Sequence, residues 1–581
     1  MRWSPKWPFA VLTLIAALAA PAGAPMAQNG VAGPYLAALV ADRNEDYSEA
    51  ATQYLRALAS DGSNPALLRR AVVAHVAKGS VEGAIPLARR LAETGRVDDI
   101  APLVLFAAYI EDEDYAAALA VLDADGETLN PLLAGLLRGW VQFALGDAEG
   151  ALAHLASLNQ PEVVSLFATY HTALMQGLAG DLDGARETLE GGEDGPLRLN
   201  RGTIVARAMI LSAGGDDAAA MAVLDEALDL GVEDGELEAM RASLAAGESL
   251  QFTRIRSAKD GVAEVFFNFA DAVSDRPGRE SLVHVRLATY LHPGFGEALI
   301  LAAELLEDRR QYDLAILAYA GVPQSSPLFL SAERGRAIAL RLDDRADEAI
   351  GVLTGLTRNF PDDWLVHYNL GDALRQEERF AEAVAAYTDA VRGLGTPTSR
   401  HWPLFYSRAI SYERQGIWEP AEADFRRALE LEEDQPLVLN YLGYSLVERR
   451  EKLDEALEMI ERAVAQRDED GFIRDSLGWV LYRLGRFEEA VEPMERAVKL
   501  EPTDPVINDH LGDVYWKVGR EREAVFQWSR ALSFDPEEED AERIRRKLEV
   551  GLDQVLAEEA AAAGDDDRPV ENSDDGTGDG G

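Results

Sequence analysis

Two stretches near the C-terminus align without a gap at a spacing of 34 residues. Leu477-Gly478, Leu481, Gly485, Phe487, Ala490, Met494, Ala497 and Pro502 fall on Leu511-Gly512, Tyr515, Gly519, Glu521, Ala524, Trp528, Ala531 and Pro536. A fixed period of this length marks a stacked array, in which one unit cannot hide its apolar face alone and its neighbours supply the cover. The residue types divide the work within the unit. Small residues at Gly478/Gly512 and Ala490/Ala524 permit close approach of neighbouring segments, and the large Met494/Trp528 fills the space that remains. Gly485/Gly519 suits a turn, and Pro502/Pro536 removes a backbone donor and stops a helix.

The register extends upstream. Leu442-Gly443 with Ala456 and Ala463 gives one unit, Tyr412 with Ala421, Phe425 and Ala428 another, and Leu370-Gly371 with Ala383, Tyr387 and Ala390 a third. Weaker units follow at Ala346/Ala349/Leu353, Tyr312/Ala315/Tyr319 and Ala288/Pro293. Nearer the N-terminus come Ala220/Leu224, Gly180/Ala185/Leu189, Gly146/Ala151/Leu155, Tyr115/Ala118/Leu122, Gly79/Ala84/Ala88 and Tyr47/Ala50/Tyr54/Ala57.

These residues resemble the tetratricopeptide repeat, a pair of antiparallel helices A and B. The resemblance covers nearly the whole chain after its first thirty residues and is most specific over 364–536. It implies an all-α fold, an α-solenoid of about fourteen helix hairpins forming a right-handed superhelix. On this reading residues 28–228 form a degenerate N-terminal array and 229–262 an atypical repeat or joint able to hinge. Residues 263–536 then form the C-terminal array. Residues 537–557 place Ile544, Leu548, Leu552 and Val555 on one helical face, as a cap over the last repeat requires. The acidic stretch 558–581 has too little apolar content to order itself.

Charge and cysteine content narrow the function. The chain has 102 acidic against 56 basic side chains, a formal charge of -46. Phosphate neutralisation by Lys and Arg drives nucleic-acid affinity, so nucleic acid is not an expected partner. Cysteine is absent, which removes disulfides, thiolate metal sites, cysteine nucleophiles and a lipid-bearing cysteine together. Met1 to Gln28 pairs a short basic region with an apolar run from Phe9 to Ala20 and small residues after it. That pattern predicts a signal peptide over residues 1–27, cleaved after Ala22, Ala24 or Ala27. As a helix the run reaches only about 18 Å, short of a hydrocarbon layer of roughly 30 Å. The expectation is an exported chain without a direct membrane anchor, periplasmic in a Gram-negative host.

No chemistry-bearing constellation stands out. There is no His-Glu-x-x-His, no lysine followed by Ser or Thr to make a phosphate loop, and no Gly-x-Ser-x-Gly elbow. The chain is expected to be no enzyme and to need no cofactor or metal. The resemblance implies instead a concave groove lined by helix A that binds protein or peptide segments. Its inward positions fall on Tyr368, Asn369, Asp372 and Arg375, then Tyr406, Glu413 and Arg414, then Asn440, Tyr441 and Tyr444. Asp475, Trp479, Tyr482 and Arg483 follow, and then Asp509, His510, Asp513, Trp516 and Lys517. Tyr and Trp offer large area at small rotamer cost and dominate binding hot spots. Asn369 or Asn440 suits a bound backbone amide, and Arg375, Arg414 or Arg483 a carboxylate. The aromatics equally suit packing between helices. The intervening aspartates depart from the family's carboxylate-clamping repeats.

The stretch from Asn440 to Pro536 also looks like exported multi-repeat proteins of the bacterial cell envelope. Some of these relatives are outer-membrane lipoproteins that act as adaptors for C-terminal processing proteases. The resemblance implies a non-enzymatic scaffold that presents clients to an envelope protease or assembly machine. A passive or self-associating structural protein, and a hydrolase with an unrecognised site, are the alternatives.

Overall fold

The computed structural model describes residues 31–158, 162–191, 200–229, 234–276 and 278–565. The expected signal peptide lies outside them. The described residues are all-helical and form two compact units, residues 1–345 and 346–581.

Hairpins form because each turn and each start is written locally. In the N-terminal unit the second helix of five of the first six pairs is capped by aspartate: Asp46, Asp114, Asp147, Asp181 and Asp216 each accept a backbone N–H three residues on. A carboxylate there satisfies an orphan donor and meets the positive end of the helix dipole. The preceding turn demands a left-handed residue. Gly79, Gly146, Gly180 and Gly215 supply it at no steric cost, while Glu45 and Glu113 adopt it against their Cβ.

Six hairpins result, from α1 (Ala32–Arg43) and α2 (Tyr47–Leu58) through α3 (Pro65–Ala77), α4 (Val81–Glu93), α5 (Ile100–Glu111) and α6 (Tyr115–Asp125). The series continues with α7 (Pro131–Ala144), α8 (Ala148–Ser157), α9 (Glu162–Leu178) and α10 (Leu182–Glu190), and closes on α11 (Arg201–Ala213) and α12 (Asp217–Leu228). A single helix, α13 (Gly235–Ala245), packs on α12.

The chain then departs from the sequence reading. Residues 247–256, expected within a joint, run without helix and are tied down. The Leu250 amide donates to Ser212 Oγ at 2.7 Å, and Arg254, its side chain 5% exposed, reaches both Glu264 and Glu297. Residues 263–291, expected to open the second array, instead fold back. α14 (Ala258–Ala272) and α15 (Glu280–Leu291) form a hairpin against the first helices of the preceding pairs, α14 on α7 and α9, α15 on α3 and α5.

The cause is composition: Val262, Ala263, Val265, Phe266 and Phe267 are buried together with the paired Glu264 and Asn268, so the helix needs cover on nearly every side. Gly261 lets it seat on Trp140, whose ring lies 2.5 Å from where a Cβ would stand. Trp140 in turn donates to His171 Nδ1 at 3.1 Å, and Tyr170 to Glu264 at 2.9 Å. α16 (Gly296–Glu307), α17 (Tyr312–Ala320) and α18 (Phe329–Leu342) complete the unit.

The C-terminal unit begins at α19 (Ala346–Asn359). It continues through five hairpins: α20 (Trp364–Gln376) with α21 (Phe380–Gly393), α22 (Trp402–Glu413) with α23 (Trp418–Leu431), α24 (Pro436–Glu448) with α25 (Leu453–Gln466), α26 (Gly471–Arg483) with α27 (Phe487–Leu500), and α28 (Pro505–Lys517) with α29 (Glu521–Ser533). The Gly–large-residue pairing of the repeat is realised within hairpins. A Cβ on Gly371, Gly478 or Gly512 would stand 2.5, 2.5 and 2.4 Å from Tyr387, Met494 and Trp528 respectively. The Trp528 indole is fully buried and donates to Asp513 at 2.9 Å.

The cap, expected as one helix over 537–557 followed by a disordered tail from 558, is two helices. α30 (Glu538–Val550) and α31 (Leu552–Asp565) break at Gly551, which has φ 82. The second extends past the expected end because Glu558 pairs with Arg546 and Glu559 with Arg543, and an alanine run of high helix propensity follows. The acidic stretch beyond Asp565 lies outside the described residues.

Candidate protein-binding groove

The inward positions of the C-terminal unit divide into two stretches. From α26 onward they are used by the protein itself. Trp479 is 6% exposed, lies between Tyr482 (ring centroids 4.8 Å) and His510 (3.9 Å), and donates to Glu448. Tyr482 is also buried, and Arg483 sits over the Trp479 ring at 5.8 Å. Trp516 is half-buried, tilted against Trp528, hydrogen-bonded to Asp553 and closely approached by Gly551.

The cap closes this end. Lys547 Nζ, with no exposed side-chain surface, lies 2.7 Å from both Asp509 and Asp513, and Lys517 pairs with Asp553. Burial opposes a charge on His510, but Asp475 at 3.0 Å, with Asp509 and Asp513 beyond it, outweighs burial and raises its pKa. The sequence placed these residues on the inner face; Trp479 and His510 are met by neighbouring repeats, whereas Asp509, Asp513, Trp516 and Lys517 are met by α30 and α31, which no local signal linked to those positions.

From α20 to α24 the inner face is partly open. Tyr368, Tyr406, Tyr441 and Tyr444 are half-buried. Tyr406 stands 5.9 Å from Tyr441 in an edge-on contact, and both rings approach Phe425. Burial pushes Tyr406 up to about 12 and raises Tyr368, Tyr441 and Tyr444 as well, so these hydroxyls stay neutral donors at physiological pH. Tyr441 bonds Glu413 at 3.3 Å, and Arg375 donates to Tyr387 at 3.2 Å.

Arg414 is exposed, and half-exposed Asn369 makes no hydrogen bond among the described residues. Asn440 differs from its neighbours: its Oδ1 is buried and has no hydrogen-bond partner among the described residues. A buried acceptor left unsatisfied costs about 1–3 kcal/mol, which a ligand N–H would recover. Of the twelve sequence-predicted residues, Trp479, Tyr482, Arg483 and Trp516 therefore serve internal packing. Tyr368, Asn369, Arg375, Tyr406, Arg414, Asn440, Tyr441 and Tyr444 together form the open stretch.

Among the described residues no group of three or more His, Asp or Glu is placed to hold a metal ion. No described helix is long and apolar enough to cross a membrane.

The tetratricopeptide-repeat family model matches residues 35–99, 334–395, 406–472 and 447–505. Over these residues the chain is similar to the tetratricopeptide-repeat family, and the hairpin packing described above agrees with that family's fold. Folds of this kind typically act as non-enzymatic protein-binding scaffolds. The chain is similar to a TPR repeat-containing protein of Pseudomonas aeruginosa, 28% identical over 183 residues, which is 31% of this chain and 30% of that protein. The match thus spans under a third of the relative's length.

Among solved structures, the APC/C hetero-tetramer Cut9–Hcn1 aligns over 89% of this chain and 96% of that chain at TM-score 0.38 and 15% identity. A tetratricopeptide repeat protein from Parabacteroides merdae aligns over 44% of this chain and 97% of that chain at TM-score 0.35 and 16% identity.

Proposed function

We propose that the chain is an exported, periplasmic scaffold, without catalysis of its own, whose α20–α24 groove holds an extended segment of a client protein. By holding the client it raises that client's local concentration at an envelope protease or assembly machine. The observation that carries the reading is the buried Oδ1 of Asn440, unpartnered among the described residues, within a row of half-exposed tyrosines. An extended peptide has a free backbone N–H at every residue to give that oxygen, and the neutral tyrosines supply area and donors beside it. The basic–apolar–small pattern of Met1 to Gln28 supports export.

The test is affinity capture from envelope extract with the full chain and with an Asn440→Ala/Tyr406→Ala variant. A protein enriched by the first and lost from the second, while the variant keeps its helical melt, is the expected result. Equal capture by both, or recovery only of further copies of the chain, would reject the groove. Amino-terminal sequencing of the protein released by osmotic shock tests export: it should begin after Ala22, Ala24 or Ala27.

A further inference from the structure

Within the N-terminal unit, the returning α14–α15 hairpin does not close completely on the array. A cavity of about 770 Å³ remains between them, walled on one side by α3 and the starts of α5 and α7, and on the other by α14 and α15. Its volume lies in the range of small-ligand sites, roughly 300–1,000 Å³.

Its charge is the reverse of the chain's. Five arginines, Arg69, Arg70, Arg96, Arg276 and Arg279, line it against three carboxylates, Asp42, Asp99 and Glu280, although the whole chain has nearly twice as many acids as bases. Three of the five are satisfied: Arg69 by Asp98 and Asp99, and Arg70 and Arg279 by the single carboxylate of Asp42. Arg96 and Arg276 have no carboxylate partner among the described residues, and both are exposed. The apolar lining is deep by contrast, with Ile100, Leu103, Leu129, Leu133 and Val283 all at 6% exposure or less. The site thus runs from a cationic mouth to a hydrocarbon floor.

We propose that this cavity binds an amphipathic carboxylate, its acid group held by Arg96 and Arg276 and its apolar body against Leu103, Leu133 and Val283. Guanidinium is planar, permanently charged and matched to a carboxylate through two parallel hydrogen bonds. The burial of five apolar side chains at the floor rewards a body that leaves water, which a bare inorganic anion does not have. Two sources supply this chemistry: a free fatty-acid-like amphiphile, and the C-terminal residue of a protein segment ending in an apolar side chain. The proposal is independent of the groove in the C-terminal unit.

The test is titration of the full chain with dansylated undecanoate and its methyl ester, and with a fluorescein-labelled short peptide ending in Val-Leu as free acid and as amide. Saturable binding of a free-acid probe is expected, weakened at least about tenfold in an Arg96→Ala/Arg276→Ala variant. Both positions are exposed and unpaired, so that variant should keep the parent's thermal melt. Val73→Trp, which fills the cavity from α3, should block the same probe. Binding of the dansylated acid alone assigns a free amphiphile, and binding of the peptide alone assigns a protein C-terminus. The proposal is overturned if neither acid saturates, if ester or amide binds as tightly as its acid, or if the double variant binds undiminished.

Discussion

In the N-terminal unit the inner helices from α3 to α9 are covered by the α14–α15 hairpin, while in the C-terminal unit α20 to α24 keep a half-open face and only the last repeats are covered, by α30 and α31. Both covers have a buried ion-pair cluster beside them, but only the cap's cation reaches the helix it covers. A buried cation bridges two carboxylates: Arg254 between Glu264 and Glu297 in one unit, Lys547 between Asp509 and Asp513 in the other. Repeat geometry therefore does not decide whether an inner face is a binding surface. What decides it is how much of the chain's own helix comes back to lie there.

The largest test of the comparison is to remove each buried cation. Arg254→Met leaves Glu264 without a cation and Glu297 with Arg201 alone, and Lys547→Met leaves Asp509 and Asp513 with only Arg543 at 3.7 Å, each at an expected loss of about 3–5 kcal/mol. Chemical denaturation followed by helical signal should show the first variant weakening only the N-terminal transition and the second only the C-terminal one. A single shared shift would show that the covers are not local devices.

Histidines sharpen the contrast through pH. In the N-terminal unit burial lowers His75 to about 4 and His171 to about 3. Each is neutral when folded and takes a proton more readily when unfolded. The stability each contributes is present above pH 6.5, where the unfolded side chain is also neutral, and is lost as pH falls toward the folded value. For His75, 6% exposed, that loss is on the order of 2 kcal/mol by pH ~5. His510 in the C-terminal unit has its pKa raised by Asp475, so its contribution is full below 6.5 and is lost as pH rises through the folded value. Melts between about pH 5 and 8 should show His75→Phe flattening the acid side of the N-terminal transition and His510→Gln flattening the alkaline side of the C-terminal one.

A smaller effect separates open from covered face. Asn440→Ala should weaken client binding about tenfold while leaving the C-terminal unit as stable or more so by up to about 1 kcal/mol, since it removes an unsatisfied acceptor. Trp479→Ala should behave in the opposite sense, destabilising the unit by about 3–5 kcal/mol as a buried aromatic. Smallest is the turn: Gly485→Ala, at φ 75, should cost about 1 kcal/mol. Glu378→Gly, at φ 58, should be neutral or slightly stabilising by thermal melt.

The hairpins were legible because their determinants are close in sequence. Gly478 and Met494 meet within one repeat, and Gly79, Gly146 and Gly180 mark turns even where the rest of the motif has faded. The foldback was not legible, since Ala288 and Pro293 satisfy the repeat pattern while Phe266 and Phe267 carry no statement of which neighbour buries them. The groove was half legible. Inward positions follow from helix period, but Trp479 stacks on His510 of the next repeat while Tyr406 meets Tyr441 edge-on, and Asp509 and Asp513 are taken by Lys547 of the cap, none of which a single repeat announces. The arginine-ringed cavity left no mark at all, its walls being drawn from residues as far apart as Arg69 and Arg279.

Because Gly512 meets Trp528 inside a single hairpin, as Gly371 meets Tyr387 and Gly478 meets Met494, each unit carries its tightest fit within itself. Such a piece is a cassette: when it is copied or dropped in the gene its internal fit travels with it and only the faces shared with its neighbours must still match, so the length of the open stretch is free to drift toward that of whatever it grips.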